Sequence, residues 1–204
     1  MFVINCKNYE EISGDKIIKF IKIAEKISKK YKIKIAISPP QHLIGLVANS
    51  SISILSQHID DSKIGSTTGF VIPELLKKSK VKGSLINHSE HRISNKEIKK
   101  LVLKLKELKM LSIVCVKDIP EVKKYVKLNP DFIAIEPPEL IAKAADIVNK
   151  SKNKTKLLCG AGIVSGEDVA KAIELGSKGI LVASGIIKAK DWNKIISEFA
   201  KALV

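Results

Sequence analysis

Two short runs of the sequence combine side chains that could polarise a carbonyl and move a proton. Residues 87–92, Asn-His-Ser-Glu-His-Arg, bring an imidazole, a hydroxyl, a carboxylate and a guanidinium together. Glu136 follows the apolar residues 132–135, and partial burial there would suit it to act as a general base. His88 alone could be structural, and a carboxylate near 136 could cap a helix, a role that better suits Glu139. Together the runs predict acid–base chemistry.

Other short runs point to an anionic ligand. Asn5 and Lys7 are two residues apart, so on a strand they share a face. A buried lysine needs an anion from the protein or from a substrate, although it could instead extend outward into solvent. The turns at 159–163 and 179–185 are rich in small residues, which lets backbone N–H groups close on a phosphate.

Apolar strand-like runs alternate with amphipathic helical runs along the whole chain, residues 1–204. The strand-like runs are continuously apolar, which predicts parallel strands buried on both faces. We expect one compact domain, an α/β eight-fold (β/α)8 TIM barrel, with an open doubly wound sheet as the second choice. Either fold places functional groups at the strand carboxyl ends. The predicted strands are Phe2–Cys6, Ile33–Ile37, Ser53–Gln57, Gly83–Asn87, Leu111–Val116, Asp131–Ile135, Lys156–Cys159 and Gly179–Val182.

The predicted helices complete these units. They are Gly14–Lys29, Gln41–Ala48, Pro73–Lys80, Asn95–Leu108, Pro120–Lys127, Leu140–Ser151, Gly166–Leu175 and Asp191–Leu203. The chain has 204 residues, so each strand–helix unit takes about 25 residues and the connections must be short.

Composition excludes several classes of protein. The net charge is +15, yet Arg92 is the single arginine and aromatic residues make up 4%, which argues against a nucleic-acid partner. A solvated lysine-rich surface that attracts small anions fits better. We expect no membrane span and no signal peptide, hence a cytoplasmic protein with buried, reduced cysteines. Abundant Ile, Lys and Glu indicate a thermophile or AT-rich coding DNA, and no metal-ligand spacing is present.

Six motifs carry a resemblance to the triosephosphate isomerase family, in particular its short archaeal branch. They occur in family order over nearly the whole chain: INCK (4–7), GSTTG (65–69), INHSEHR (86–92), AIEPPELI (134–141), LLCGAGI (157–163) and GILVASGIIKA (179–189). The resemblance implies an eight-fold barrel that interconverts dihydroxyacetone phosphate and glyceraldehyde 3-phosphate without a cofactor, in glycolysis and gluconeogenesis.

The resemblance also implies roles for individual side chains. Glu136 would be the base, and His88 would be the neutral electrophile that polarises the carbonyl, a pairing for which this enzyme family is the standard example. Lys7 would stabilise the developing enediolate and the phosphate. Asn5 would assist at the same oxygen, and Glu90 would position Lys7.

Four further positions follow from the same resemblance. The backbone amides of Gly162, Ala183 and Ser184 would hold the phosphate, although Ala183 and Ser184 replace a glycine pair common in the family. Thr68 would lie at the tip of a loop that inserts into a neighbouring subunit, which implies a homo-oligomer, a dimer or a tetramer. An ordinary surface turn is the alternative for this segment.

One departure from the family pattern concerns the lid. In the family, a mobile lid of about a dozen residues with a Gly-Thr-Gly element follows the base. Here 19 residues separate Glu136 from Lys156, and helix six with its turn needs about 12 to 14 of them. Pro137 and Pro138 occupy two of the rest, so no lid fits. A natural deletion, an engineered one, or a segment left out of a longer chain would each explain this.

A missing lid predicts weak isomerase activity with a larger share of methylglyoxal, because water reaches the enediolate and phosphate is eliminated. Three other functions remain possible. A non-catalytic phosphate-binding barrel would keep the glycine turns, and another barrel enzyme would use other strands. An assembly role would depend on Thr68 and the barrel surface. The joint presence of Asn5, Lys7, His88, Glu90 and Glu136 favours the isomerase.

Overall fold

Eight parallel strands close into a barrel in sequence order, with β1 paired to both β2 and β8. This computed structural model describes residues 1–136, 138–160 and 162–204, so Pro137 of the predicted lid-free connection and Ala161 of the first glycine turn lie outside the described residues. The strands are β1 Phe2–Asn5, β2 Ile35–Ser38, β3 Ser53–Ser56, β4 Gly83–Ile86, β5 Leu111–Val116, β6 Phe132–Ile135, β7 Lys156–Cys159 and β8 Ile180–Val182.

Helices surround the barrel. Within the described residues they are α1 Lys16–Tyr31, α2 Ile44–Val47, α3 Pro73–Lys78, α4 Asn95–Glu107, α5 Ile119–Tyr125, α6 Ile141–Lys150, α7 Gly166–Glu174, α8 Ser184–Ile187 and α9 Trp192–Ala202. Short 3-10 turns occur at Glu10–Ile12, Gln41–Leu43, Val126–Leu128 and Pro138–Leu140. Side-chain caps fix several helix starts: Ser94 and Ser165 form capping boxes with Glu97 and Asp168, and Asp118 caps α5.

Two apolar layers explain why the strands are apolar on both faces. Inside the barrel, one residue in two along each strand forms a core that includes Val3, Ala36, Leu55 and Leu158. The alternate residues pack outward against the helices in a larger cluster. The closed barrel confirms the predicted fold, and the open doubly wound sheet is wrong.

The predicted elements differ from the structure mainly at their ends. The first strand ends at Asn5 instead of Cys6, and the fourth ends at Ile86 instead of Asn87, because Lys7 and Asn87 have left-handed backbone angles that stop a strand. The helix α8 was not predicted at all, since its four residues lie in a segment read as a glycine turn.

All three cysteines, Cys6, Cys115 and Cys159, are buried, as the sequence predicts. Burial raises the pKa of Cys115 to about 12, and it raises the pKa of Cys6 as well. These two thiols therefore stay protonated near neutral pH. Among the described residues no helix is both long enough and apolar enough to cross a lipid bilayer.

Candidate active site

The first strand delivers a lysine to the carboxyl-terminal mouth of the barrel. Lys7 lies two residues after β1 with φ at +46°, an uncommon angle for a residue with a side chain. Its backbone N–H donates to Oδ1 of the buried Asn5 at 3.0 Å, and its carbonyl accepts from Nε2 of Gln57 at 2.9 Å. The strained backbone and these two hydrogen bonds, rather than strand alternation, set the position of Lys7.

Lys7 is joined to the segment after β4 by an ion pair. Its Nζ lies 2.7 Å from Oε1 of Glu90, and the lysine side chain is 26% exposed while that of Glu90 is 60% exposed. Solvent therefore reaches the carboxylate more freely than the ammonium. The ammonium has a protein anion on one side, and its hydrogens directed away from Glu90 remain available for a substrate oxygen.

A second left-handed residue shapes the β4 segment. Asn87 is buried with φ at +62°. Its Nδ2 donates to the carbonyl of Cys115 at 3.1 Å, and its Oδ1 accepts from the backbone N–H of Ile93 at 3.2 Å. The side chain thus fixes both the neighbouring strand and the far end of the segment that carries His88, Ser89 and Glu90.

His88 is held as a neutral ring. Its Nδ1 accepts the backbone N–H of Glu90 at 3.2 Å, which places the single ring proton on Nε2. Burial lowers the pKa of His88 and outweighs the carboxylates of Glu136 and Glu90, which raise it. A neutral imidazole with a free Nε2–H is a hydrogen-bond donor suited to a substrate carbonyl.

Glu136 faces that ring from the end of β6. Its Oε1 lies 3.9 Å from Nε2 of His88 and accepts a hydrogen bond from Oγ of Ser89 at 2.9 Å. The side chain is 35% exposed. Lys7, Glu90, His88 and Glu136 therefore form a continuous series of polar contacts across the mouth, from β1 through β4 to β6.

The connections after β7 and β8 adjoin each other on the same side of the mouth. Gly162 has φ at +72°, and a Cβ placed on Gly185 would lie 3.3 Å from the carbonyl oxygen of Ile163. Ala183 precedes α8 with φ −136° and ψ −95°, and Ser184 is its first residue. The first N–H groups of a helix lack partners within it, so this turn presents backbone donors.

Five residues, 136–140, separate β6 from α6, and three of them form the 3-10 turn Pro138–Leu140. This turn lies against the β7 connection: a Cβ built on Gly162 would lie 2.6 Å from Cγ of Pro138. Only a glycine fits there, both for space and for its positive φ.

Comparison with known proteins decides the family. A sequence model of the triosephosphate isomerase family matches residues 1–148 and, in a second overlapping stretch, 139–199. The triosephosphate isomerase of Cenarchaeum symbiosum is 49% identical, over 100% of this chain and 97% of its own length. That of Methanothermus fervidus is 41% identical, over 97% of this chain and 96% of its own. The chain belongs to the triosephosphate isomerase family.

A solved member of the triosephosphate isomerase family shares the fold. The crystal structure of triosephosphate isomerase from Bartonella henselae superposes with a TM-score of 0.73 and covers 97% of this chain and 98% of that one. The two sequences are 18% identical, so this likeness concerns the barrel and not the site.

The sequence-predicted residues fall into two groups. The structure brings Asn5, Lys7, His88, Glu90 and Glu136 together at the mouth, with Gly162, Ala183 and Ser184 on the connections beside it. Thr68 lies apart from them, in the exposed connection between β3 and α3.

Sequence reasoning missed three residues that hold the side chains at this mouth in place: Gln57, Asn87 and Ser89. Gln57 spans from β3 to the carbonyls of Lys7 and Ser38, at 2.9 and 3.3 Å. Asn87 and Ser89 were visible in the motif but drew no role, because their partners Cys115 and Glu136 are distant in sequence. Each polar residue directly after a strand could have been flagged as a candidate.

No cluster of metal-ligating side chains occurs among the residues that the structure describes. His58 anchors the β3–α3 connection: its Nε2 lies 3.2 Å from Oδ1 of Asp60, and its ring stacks on that of His91 with centroids 3.8 Å apart.

Proposed function

We propose that the protein is a triosephosphate isomerase that interconverts dihydroxyacetone phosphate and glyceraldehyde 3-phosphate. The observation that carries the proposal is the series of contacts that joins Lys7, Glu90, His88 and Glu136 across one mouth of the barrel. A general base, a neutral donor and a cation around one point are what proton transfer next to a carbonyl requires.

The reaction moves one proton between two carbons and another between two oxygens. The carboxylate of Glu136 removes a proton from the carbon beside the carbonyl, while Nε2–H of His88 donates to the carbonyl oxygen. Glu136 then returns its proton to the neighbouring carbon. The hydroxyl proton passes to the former carbonyl oxygen through Nε2 of His88, so the carbonyl re-forms one position along. Substrate and product are isomers, so the step needs no oxidant or reductant.

Lys7 supplies the positive charge for the intermediate. Negative charge develops on the oxygens of the enediolate, and an ammonium fixed beside them stabilises the transition state more than the ground state. Glu90 acts as a positioning residue, because its contact with Lys7 at 2.7 Å holds the ammonium at the mouth. Asn5 fixes the backbone of Lys7 and assists at the same oxygen.

The phosphate is held by the backbone amides of Gly162, Ala183 and Ser184. The close approach of Gly185 to the carbonyl of Ile163 supports one shared anion site formed by the two connections. The net charge of +15 favours the approach of a dianionic substrate.

We infer further that this chain lacks the lid that covers the substrate in its family. The alignment with the Cenarchaeum symbiosum enzyme is 216 positions long and includes all 204 residues, so this chain has no residue at 12 of them. The two family matches overlap at residues 139–148, the start of α6. The connection from β6 to α6 has five residues, which is fewer than the dozen or so of the family's lid.

The missing lid lowers the rate and changes the product. Glu136 stays 35% exposed, and water has access to the enediolate. Elimination of phosphate, in which the carbon–oxygen bond to the phosphate breaks, then competes with reprotonation and yields methylglyoxal. We therefore expect reduced isomerase activity with methylglyoxal as a side product.

A homo-oligomer forms part of the proposal. Hydrogen bonds between Asp60 and Val71, at 2.9 and 2.6 Å, close the segment 61–70, in which Ile64 and Phe70 are more than half exposed. A cleft of about 780 Å³ lies beside Lys7 and Glu90. We propose that this segment, with Thr68, enters the cleft of a second copy. Sedimentation of Thr68→Arg should show smaller species than the unmodified chain; equal sizes would overturn this part.

A matched pair of variants tests the proposed activity. Initial rates of glyceraldehyde 3-phosphate formation are measured for the unmodified chain, Glu136→Gln and Glu139→Gln. Loss of the general base should reduce the rate by about 10² to 10⁴-fold, whereas the exposed Glu139 should matter little. Equal rates for all three proteins would mean that Glu136 is not the base, and no isomerisation by any of them would reject the isomerase and leave a phosphate-binding barrel.

A further inference from the structure

The opposite end of the barrel contains a cavity that the proposed catalysis does not use. Its volume is about 880 Å³, and it lies at the amino-terminal ends of the strands. Three lysines line it: Lys34, Lys156 and Lys178. No aspartate or glutamate does so among the residues that the structure describes.

Strand register directs two of these lysines toward the barrel axis. Lys34 precedes Ala36 by two residues, and Lys156 precedes Leu158 by two, and both Ala36 and Leu158 belong to the core inside the barrel. Because side chains alternate along a strand, Lys34 and Lys156 start on the inward side of the barrel wall, and both are exposed at its open amino-terminal end. Their backbones are fixed there: the carbonyl of Lys34 accepts from Phe2 N–H, and the N–H of Lys156 donates to the backbone carbonyl of Asp131.

These charges have no carboxylate to balance them. None of the three lysines takes part in an ion pair among the described residues. Burial lowers the pKa of the Met1 amino group, and Lys156 and Lys34 lower it further. Both lysines are therefore close enough to act on the Met1 amino group. Like charges held together without a counter-charge favour the binding of an anion.

The deep side of the cavity is apolar. Leu111 and Phe132 form this side and pack with the core inside the barrel, whereas the three lysines are exposed around it. Phe132 is 9% exposed, so part of its ring faces the cavity. The volume lies within the range of small-molecule sites, about 300–1,000 Å³. An apolar wall with a rim of three cations selects a ligand with a flat apolar body and several negative charges.

We propose that this cavity is a binding site for a nucleoside triphosphate, with the base against Phe132 and Leu111 and the phosphates at the lysines. Nucleoside triphosphates combine a flat ring with three to four negative charges. The site lies at the opposite ends of the strands from Lys7 and Glu136, so occupancy leaves the catalytic mouth open.

Calorimetric titration of the full chain with magnesium-free ATP tests the proposal. The variant Lys34→Gln/Lys156→Gln removes two rim charges, and Lys96→Gln/Lys99→Gln removes two exposed charges from α4 as a control. Each lost charge-assisted hydrogen bond is worth roughly tenfold in affinity, so the rim variant should bind at least about tenfold more weakly. The control should bind like the unmodified chain. Equal weakening in both variants would mean diffuse attraction and would overturn the site.

Two probes and a mapping experiment locate the ligand. Tripolyphosphate carries the charge without the base, and adenosine carries the base without the charge; both should bind more weakly than ATP. In methyl NMR spectra, ATP should shift the signals of Leu111 and Leu157. Shifts confined to Ile163 and Ile186, at the catalytic end, would place ATP in the phosphate turn and contradict the proposal, as would tripolyphosphate binding as tightly as ATP.

Discussion

The two halves of the catalytic mouth are built differently. On the side of β1 and β4, polar side chains fix the backbone that carries Lys7 and His88: Asn5, Gln57 and Asn87 each bond main-chain groups. On the side of β6, Glu136 accepts a single side-chain hydrogen bond from the described residues, that of Ser89, and a third of its side chain is exposed.

This difference shows that the barrel itself positions Lys7 and His88, which we call the fixed half of the mouth. The position of Glu136, in the other half, depends on the segment that lies over it. The left-handed angles of Lys7 and Asn87 are stabilised by hydrogen bonds to Asn5 and Ile93 nearby in the chain, and to Gln57 and Cys115 on neighbouring parts of the barrel wall. The base lies beside a five-residue connection that ends against Gly162. Catalysis should therefore respond strongly to changes in the first half and to additions in the second.

Removing the charge from the fixed half should have the largest effect. We expect Lys7→Gln to lower kcat/KM for isomerisation by about 10² to 10³-fold, because the enediolate loses its cation. Lys188→Gln, at a lysine that is exposed where Lys7 is partly buried, should remain within about twofold of the unmodified protein by the same assay, since exposed charges contribute little. Equal effects of the two substitutions would mean that Lys7 acts only through the general field of the protein.

A longer β6–α6 connection over Glu136 should make the half of the mouth with the base less exposed to solvent. We expect the β6–α6 connection of the Cenarchaeum symbiosum enzyme, grafted in place of residues 137–140, to raise kcat by roughly tenfold, about the worth of one more hydrogen bond to a charged oxygen. The methylglyoxal share, measured by NMR, should fall at the same time. A graft that folds yet leaves both quantities unchanged would show that the short connection is not the defect.

The buried support of the fixed half can be weakened without touching a proposed reacting group. Asn87→Ala removes two hydrogen bonds and places alanine at a positive φ, so the free energy of unfolding should fall by about 2–3 kcal/mol in urea denaturation. Asn49→Ala, at an exposed asparagine bonded to Lys80, serves as the comparison and should cost less than about 0.5 kcal/mol. Equal decreases in the free energy of unfolding for the two variants would show that the hydrogen bonds of Asn87 do not stabilise the fold more than an exposed contact does.

The smallest expected effect is the dependence of the isomerisation rate on pH. Burial lowers the pKa of His88 below its ordinary 6.5, so the ring is neutral above that pH and gains a proton only below it. Activity should be constant from pH 6.5 to 8 and decline as the pH falls further, because the protonated ring replaces the neutral donor. An initial-rate profile that declines as the pH rises from 6.5 to 8 would mean that the imidazolium is the active form.

Much of this arrangement can be predicted from the sequence because barrels place function at the carboxyl ends of strands. Continuous apolar runs give the strands, and the polar residue after each run gives Lys7, His88 and Glu136. The backbone angles of Lys7 and Asn87 cannot be predicted this way, since the hydrogen bonds that stabilise them come from Gln57, Cys115 and Ile93 in the folded chain. The short helix α8 was hidden for a related reason, as four residues carry no helical period.

One time course tests the central claim that the catalytic groups are assembled but uncovered. Dihydroxyacetone phosphate is incubated with the protein, and glyceraldehyde 3-phosphate and methylglyoxal are followed together by NMR, with Glu136→Gln beside it. We predict slow isomer formation with methylglyoxal clearly above the Glu136→Gln control. Rapid isomerisation without excess methylglyoxal would contradict the account, because the intermediate would then be protected by a cover that the β6–α6 connection does not provide.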